Sequence, residues 1–103
     1  MDVNTPLPTG RTEKRIAKIV SVEICLNDKP GLKETTLTEN VSSHGARVVM
    51  QREWRPGQQV TVISPKEDVR ARGQIVYCQL LAENRFAVGL ELSVRVDLWA
   101  KSR

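Results

Sequence analysis

The feature that most limits how this chain can fold is a repeated two-residue rhythm. Between Ile16 and Leu26, the residues Val20, Val22, Ile24 and Leu26 alternate with Ile19, Ser21, Glu23 and Cys25. Alternation at this period, carried by β-branched residues, predicts a strand with one face better buried than the other. Asn27-Asp28-Lys29-Pro30-Gly31 then predicts a tight reversal, because Pro-Gly presets the dihedral angles that a turn needs. A threonine-rich second strand is expected over 32–41, a break at Ser42 to Gly45, and a short third strand over 46–50. Arg52 to Gly57 is turn-like, and Val60 and Val62 alternate with Thr61 and Ile63 in a fourth strand over 58–63. After the polar Ser64 to Asp68, the longest run spans 69–81. Val69, Ala71, Gly73, Ile75 and Tyr77 share one parity there, while Arg70 and Arg72 take the outward one. Gly73 is expected to mark a bulge or a bend. A turn over 82–85 leads to a sixth strand carrying Phe86, Val88, Leu90 and Leu92, and a short helix is expected in the tail over 94–103.

Six short strands separated by turn signals predict an all-β sandwich or small barrel. Closure into a barrel removes the unpaired edges that a small β domain otherwise has to protect. The chain's 103 residues suit one domain, with residues 1–15 as a flexible N-terminal arm and 16–103 as the barrel. Trp54 is expected to pack on the barrel rim and Trp99 to tether the tail.

Composition narrows the function. A net charge of +4 favours an anionic partner without approaching the charge density of a dedicated nucleic-acid binder. Its densest cluster is Arg11, Lys14, Arg15 and Lys18. Two cysteines and one histidine cannot complete a four-ligand structural zinc site, so no metal is expected, and Cys25 and Cys78 read as small, reduced core residues. No apolar run approaches a membrane span and the first residues lack the apolar stretch of a signal peptide, so the expected location is the cytoplasm, away from membranes. No phosphate loop, dinucleotide fingerprint, nucleophile elbow or zinc-protease helix occurs, and His44 has no evident orienting acid. No catalytic residue, and no enzyme, is expected.

Two short patterns carry chemistry. Arg11-Thr12-Glu13-Lys14-Arg15 places two guanidiniums four residues apart just before the first strand. Arginine is suited to bidentate contact with phosphate, or with the O6 and N7 acceptors of guanine. Asn40-Val41-Ser42-Ser43-His44-Gly45 lies between the second and third strands. Its Asn and Ser side chains can hydrogen-bond a base edge or a phosphate, and its glycine permits a positive φ and a close approach to the backbone. Arg47, two residues on, is an auxiliary candidate. Each pattern alone describes solvated charge or an ordinary turn.

Together, Arg-x-x-x-Arg followed by Asn-x-Ser-x-x-Gly in an all-β chain of this length resembles the PilZ family. The resemblance runs from Arg11 to the C-terminus and includes the segment Phe86-Ala87-Val88-Gly89-Leu90-Glu91; both motifs match at every fixed position. It implies a six-stranded antiparallel β-barrel and a receptor for the bacterial second messenger cyclic di-GMP, with no resident cofactor. By that resemblance Arg11 and Arg15 would grip guanine and phosphate groups, and Asn40, Ser42 and Gly45 would form the opposing surface. It further implies a sensor or adaptor that passes its signal to a downstream protein as the arm orders around the ligand. Two alternatives compete: a nucleotide-independent interaction adaptor, and a small barrel binding single-stranded nucleic acid. The second is disfavoured because the chain's four aromatics (Trp54, Tyr77, Phe86 and Trp99) are not interleaved with the basic arm.

Overall fold

Where apolar and polar residues alternate, the apolar set turns inward and the strands close on it. A computed structural model describes residues 15–100 and contains six strands: β1 Ser21–Leu26, β2 Lys29–Ser42, β3 Gly45–Met50, β4 Gln59–Ser64, β5 Val69–Leu80 and β6 Phe86–Leu92. All pairings are antiparallel, and the order β1-β2-β3-β6-β5-β4 closes on itself as a barrel. The all-β, six-stranded antiparallel barrel expected from the alternation is therefore the observed architecture. Residues 1–14 of the N-terminal arm, with Arg11, lie outside the described residues.

Val22, Ile24, Val41, Val48, Met50, Val60, Val62, Ile75 and Val88 fill the interior with almost no exposure. Two tryptophans complete this core: Trp54 from the chain after β3, and Trp99 from the tail whose Val96 N–H bonds Ser43 O at 2.6 Å, just before β3. Truncating any of the larger core residues to alanine costs about 2–5 kcal/mol, from lost transfer energy and the cavity left behind.

Three local expectations are corrected. The β1–β2 reversal is made by Asn27 and Asp28, and Pro30-Gly31 falls inside β2, where the register slips between Cys25–Lys33 and Leu26–Lys29. A proline cannot donate to a sheet ladder, and this irregular stretch leaves it no regular partner to fail. The bulge in β5 is not at Gly73, which pairs with Val60 and Leu92, but between Ile75 and Tyr77. Cys78 packs against the core, whereas Cys25 is half-buried on the outer side of β1, between the inward Ile24 and Leu26. The short helix expected in the tail is, among the described residues, the 3-10 helix Asp97–Ala100.

Candidate ligand-binding face

The site begins with a slip in β2. Thr38 points inward; its hydroxyl donates to Lys18 O at 2.6 Å and accepts from Val20 N at 2.8 Å. Val20 O in turn accepts from Thr38 N at 2.9 Å. The segment before β1 is thereby laid along β2, and Ile16 pairs with Val41 through bonds of 2.7 and 2.9 Å. Between Thr38 and Asn40 the register with β3 shifts, leaving Glu39 without a cross-strand partner and Asn40 opposite Arg47. A one-residue shift exchanges the faces of a strand, so Asn40 leaves the parity of the buried Thr38 and turns outward.

There it meets Arg15, whose Nη1 donates to Asn40 Oδ1 at 2.9 Å. Twenty-five residues apart in the chain, the two sequence motifs are joined by one hydrogen bond. The row continues across the barrel through Arg47 on β3 and Gly89 on β6 to Tyr77 on β5. Arg47 donates from Nε to Glu39 Oε1 at 2.8 Å and from Nη1 to the Tyr77 hydroxyl at 3.1 Å. Its guanidinium carbon lies 5.9 Å from the Tyr77 ring centre. Hydrogen bonds to Glu39 and then Tyr77 raise the Arg47 pKa further, so it stays cationic throughout. The Tyr77 ring covers Gly89 so closely that a side-chain carbon there would overlap ring carbons Cε2 and Cδ2.

Ser42 and Gly45 pair across the hairpin turn made by Ser43 and His44. The tail secures this turn, since His44 O accepts from Leu92 N at 2.7 Å and Ser43 O from Val96 N. Gly45 does not use the positive φ that glycine permits. Its requirement is steric: a Cβ would stand 2.5 Å from the Leu90 carbonyl oxygen on the adjacent strand. Of the residues singled out in the sequence, Arg15, Asn40, Ser42, Gly45 and Arg47 thus lie along adjoining parts of β2, β3 and the segment before β1. Glu39, Tyr77 and Gly89 were not anticipated. Parity had grouped Tyr77 with the buried residues, and the β5 bulge reverses it.

Comparison with known proteins bears on this arrangement. The family model described as PilZ domain matches residues 10–101. The chain belongs to the PilZ family. Domains of this family are binding and adaptor domains, and the match spans both motifs and all six strands. Among solved structures, this PilZ domain is similar to the Bacillus subtilis inhibitor of motility MotI/DgrA, with a TM-score of 0.69 at 18% identity. The likeness covers 87% of this chain and 47% of that one, so the chain spans about half the neighbour's length. No curated protein matches the chain. Among the described residues, no group of three or more His, Cys, Asp or Glu is placed to hold a metal ion, and no helix is long and apolar enough to cross a membrane.

Proposed function

We propose that this PilZ domain is a cyclic di-GMP sensor or adaptor that passes the second-messenger signal to a partner protein as its N-terminal arm, residues 1–15, orders around the ligand. The observation that carries the reading is the Arg15–Asn40 hydrogen bond, which joins the arginine motif to the outward Asn40 of the Asn-x-Ser-x-x-Gly motif, whose Ser42 and Gly45 are buried. The ligand has two phosphates and two guanines, the groups that arginine recognises best through paired donors. Arg15 has Asn40 beside it, Arg11 is four residues upstream, and Ser42 and Gly45 continue the same strand pair. Arg47 and the Tyr77 ring extend the face with a fixed cation and a flat surface suited to stacking a base. On this reading the protein works in the bacterial cytoplasm and needs no resident cofactor, membrane or nucleic acid.

Isothermal titration of cyclic di-GMP into the full chain tests the assignment. The parent is expected to bind, and Arg11→Ala and Arg15→Ala are each expected to lose about 1–3 kcal/mol, the value of a bidentate guanine contact. Arg47→Ala is expected to cost less, because Arg47 must first exchange Glu39 for the ligand. A folded parent that shows no binding would overturn the ligand assignment and leave the nucleotide-independent adaptor.

A further inference from the structure

Upstream of Glu39, the same strand forms a second feature that the nucleotide reading does not use. A groove of about 750 Å³ runs over the outer side of β2 and β3, with Ile19, Leu37 and Val49 in its lining and Lys33, Arg52 and Arg85 among its charged residues. Ile19 is 75% exposed and Leu37 55% exposed, and the pairing of Val20 with Thr38 holds them side by side. A lone exposed leucine needs no explanation, but adjacent apolar side chains in a charged-rimmed concavity are characteristic of a docking surface.

The charges decide what would dock. Both carboxylates lining the groove are already engaged. Glu34 accepts from the backbone N–H groups of Gln51 and Arg52 and from Trp54 Nε1, while Glu39 pairs with Arg47. Lys33 has only a surface contact with Glu23 at 3.4 Å, a class of pair that contributes little. The Arg52 and Arg85 side chains have no acidic partner among the described residues. β2 pairs with β1 over Lys29–Leu37 and with β3 over Thr38–Ser42, and a segment that lies over the outer face of the sheet is held there through its side chains.

We infer that this groove is the docking site for an acidic segment of a partner protein, whose apolar side chains cover Ile19 and Leu37 while its carboxylates meet Arg52, Arg85 and Lys33. The inference goes beyond nucleotide binding and stands without it.

The probe is a displayed library of random dodecapeptides selected on the full chain, followed by fluorescence titration of the selected peptides. Enrichment in Asp or Glu interspersed with Leu, Ile or Phe is expected. Leu37→Asp should weaken their binding about tenfold or more, as expected for an apolar anchor. Arg85→Glu should weaken it less and reduce its salt dependence, as expected for a rim charge. Ile19→Asp serves as a second apolar variant, and unchanged melting confirms that each variant folds. Arg15→Ala should leave peptide binding intact, and Leu37→Asp should leave the cyclic di-GMP titration intact, so the two readings fail separately. Peptides without acidic enrichment, or binding indifferent to both Leu37→Asp and Ile19→Asp, would overturn the inference. So would a dimer seen in sedimentation that Leu37→Asp dissolves, which would assign the groove to a second copy of this chain.

Discussion

The two halves of β2, on either side of Glu39, share a strand and a side of the barrel yet present opposite surfaces. Downstream, Asn40 is held by Arg15 and lies opposite Arg47, which is fixed in turn by Glu39 and Tyr77. Upstream, Leu37 stands open beside Ile19, and Val49 joins them in the groove. The upstream half pairs with β1 and the downstream half with β3, so the difference comes from what those neighbours contribute. The preceding segment supplies Arg15 to one half and Ile19 to the other, four residues apart, and β3 supplies Arg47 to one and Val49 to the other. A strand surface acquires its chemistry from its cross-strand neighbours as much as from its own residues. One half is a set of polar groups already oriented, which lowers the ordering cost of binding a rigid ligand. The other is apolar surface awaiting cover.

Substitutions can break that contrast, and the binding variants described above are expected to separate the halves most strongly. The next largest effect is on stability. Gly45→Ala drives a methyl against the Leu90 carbonyl, which belongs to the backbone and cannot step aside. Urea unfolding should show a loss of about 1–3 kcal/mol, the usual cost of overpacking. Thr35→Ala, exposed in the upstream half, should stay within about 0.5 kcal/mol of the parent. Equal losses at the two positions would erase the distinction between a packed half and an open one.

Thr38→Val tests the junction between the halves. The substitution keeps the shape but removes the hydroxyl that bonds Lys18 O and Val20 N. A loss of roughly 1 kcal/mol is expected in the same unfolding assay, because a buried N–H is left without its acceptor. Amide exchange at Val20 should accelerate as well. Unchanged exchange would mean that Thr38 does not hold the leading segment in place.

The smallest expected effect lies at the upstream end, where Cys25 pairs with Lys33. Burial first, and then the charge of Glu23, hold the Cys25 thiol above its ordinary pKa. The folded state therefore keeps its proton where the unfolded chain has begun to lose it, and unfolding releases a proton. Stability from this group is fully present below the ordinary value of 9.0 and declines as pH rises beyond it towards the raised folded value. Cys25→Ser should flatten the alkaline slope of the unfolding curve, and a slope unchanged by the substitution would remove Cys25 as its source.

Much of this was legible in the sequence, and the reason is periodicity. Val20, Val22, Ile24 and Leu26 announce their inward face without reference to any other strand, and β3, β4 and the first half of β5 behave in the same way. The Arg-x-x-x-Arg and Asn-x-Ser-x-x-Gly spacings are likewise local, so the chain itself names Arg15, Asn40, Ser42 and Gly45 as candidates. Local pattern could not reveal Tyr77 as a neighbour of Arg47, because parity counted from Ile75 points Tyr77 into the core.

Alternation and motif spacing, then, are properties of the chain, and they specify an antiparallel barrel and the residues worth watching. The bulges at Glu39 and after Ile75 are properties of the closed sheet. Each arises where two strands must stay hydrogen-bonded while their residue counts differ, and neither strand alone records that mismatch. Since one extra residue reverses every side chain beyond it, the tertiary pairing alone decided that Asn40 and Tyr77 face outward beside Arg47, and that Leu37 is left exposed next to Ile19.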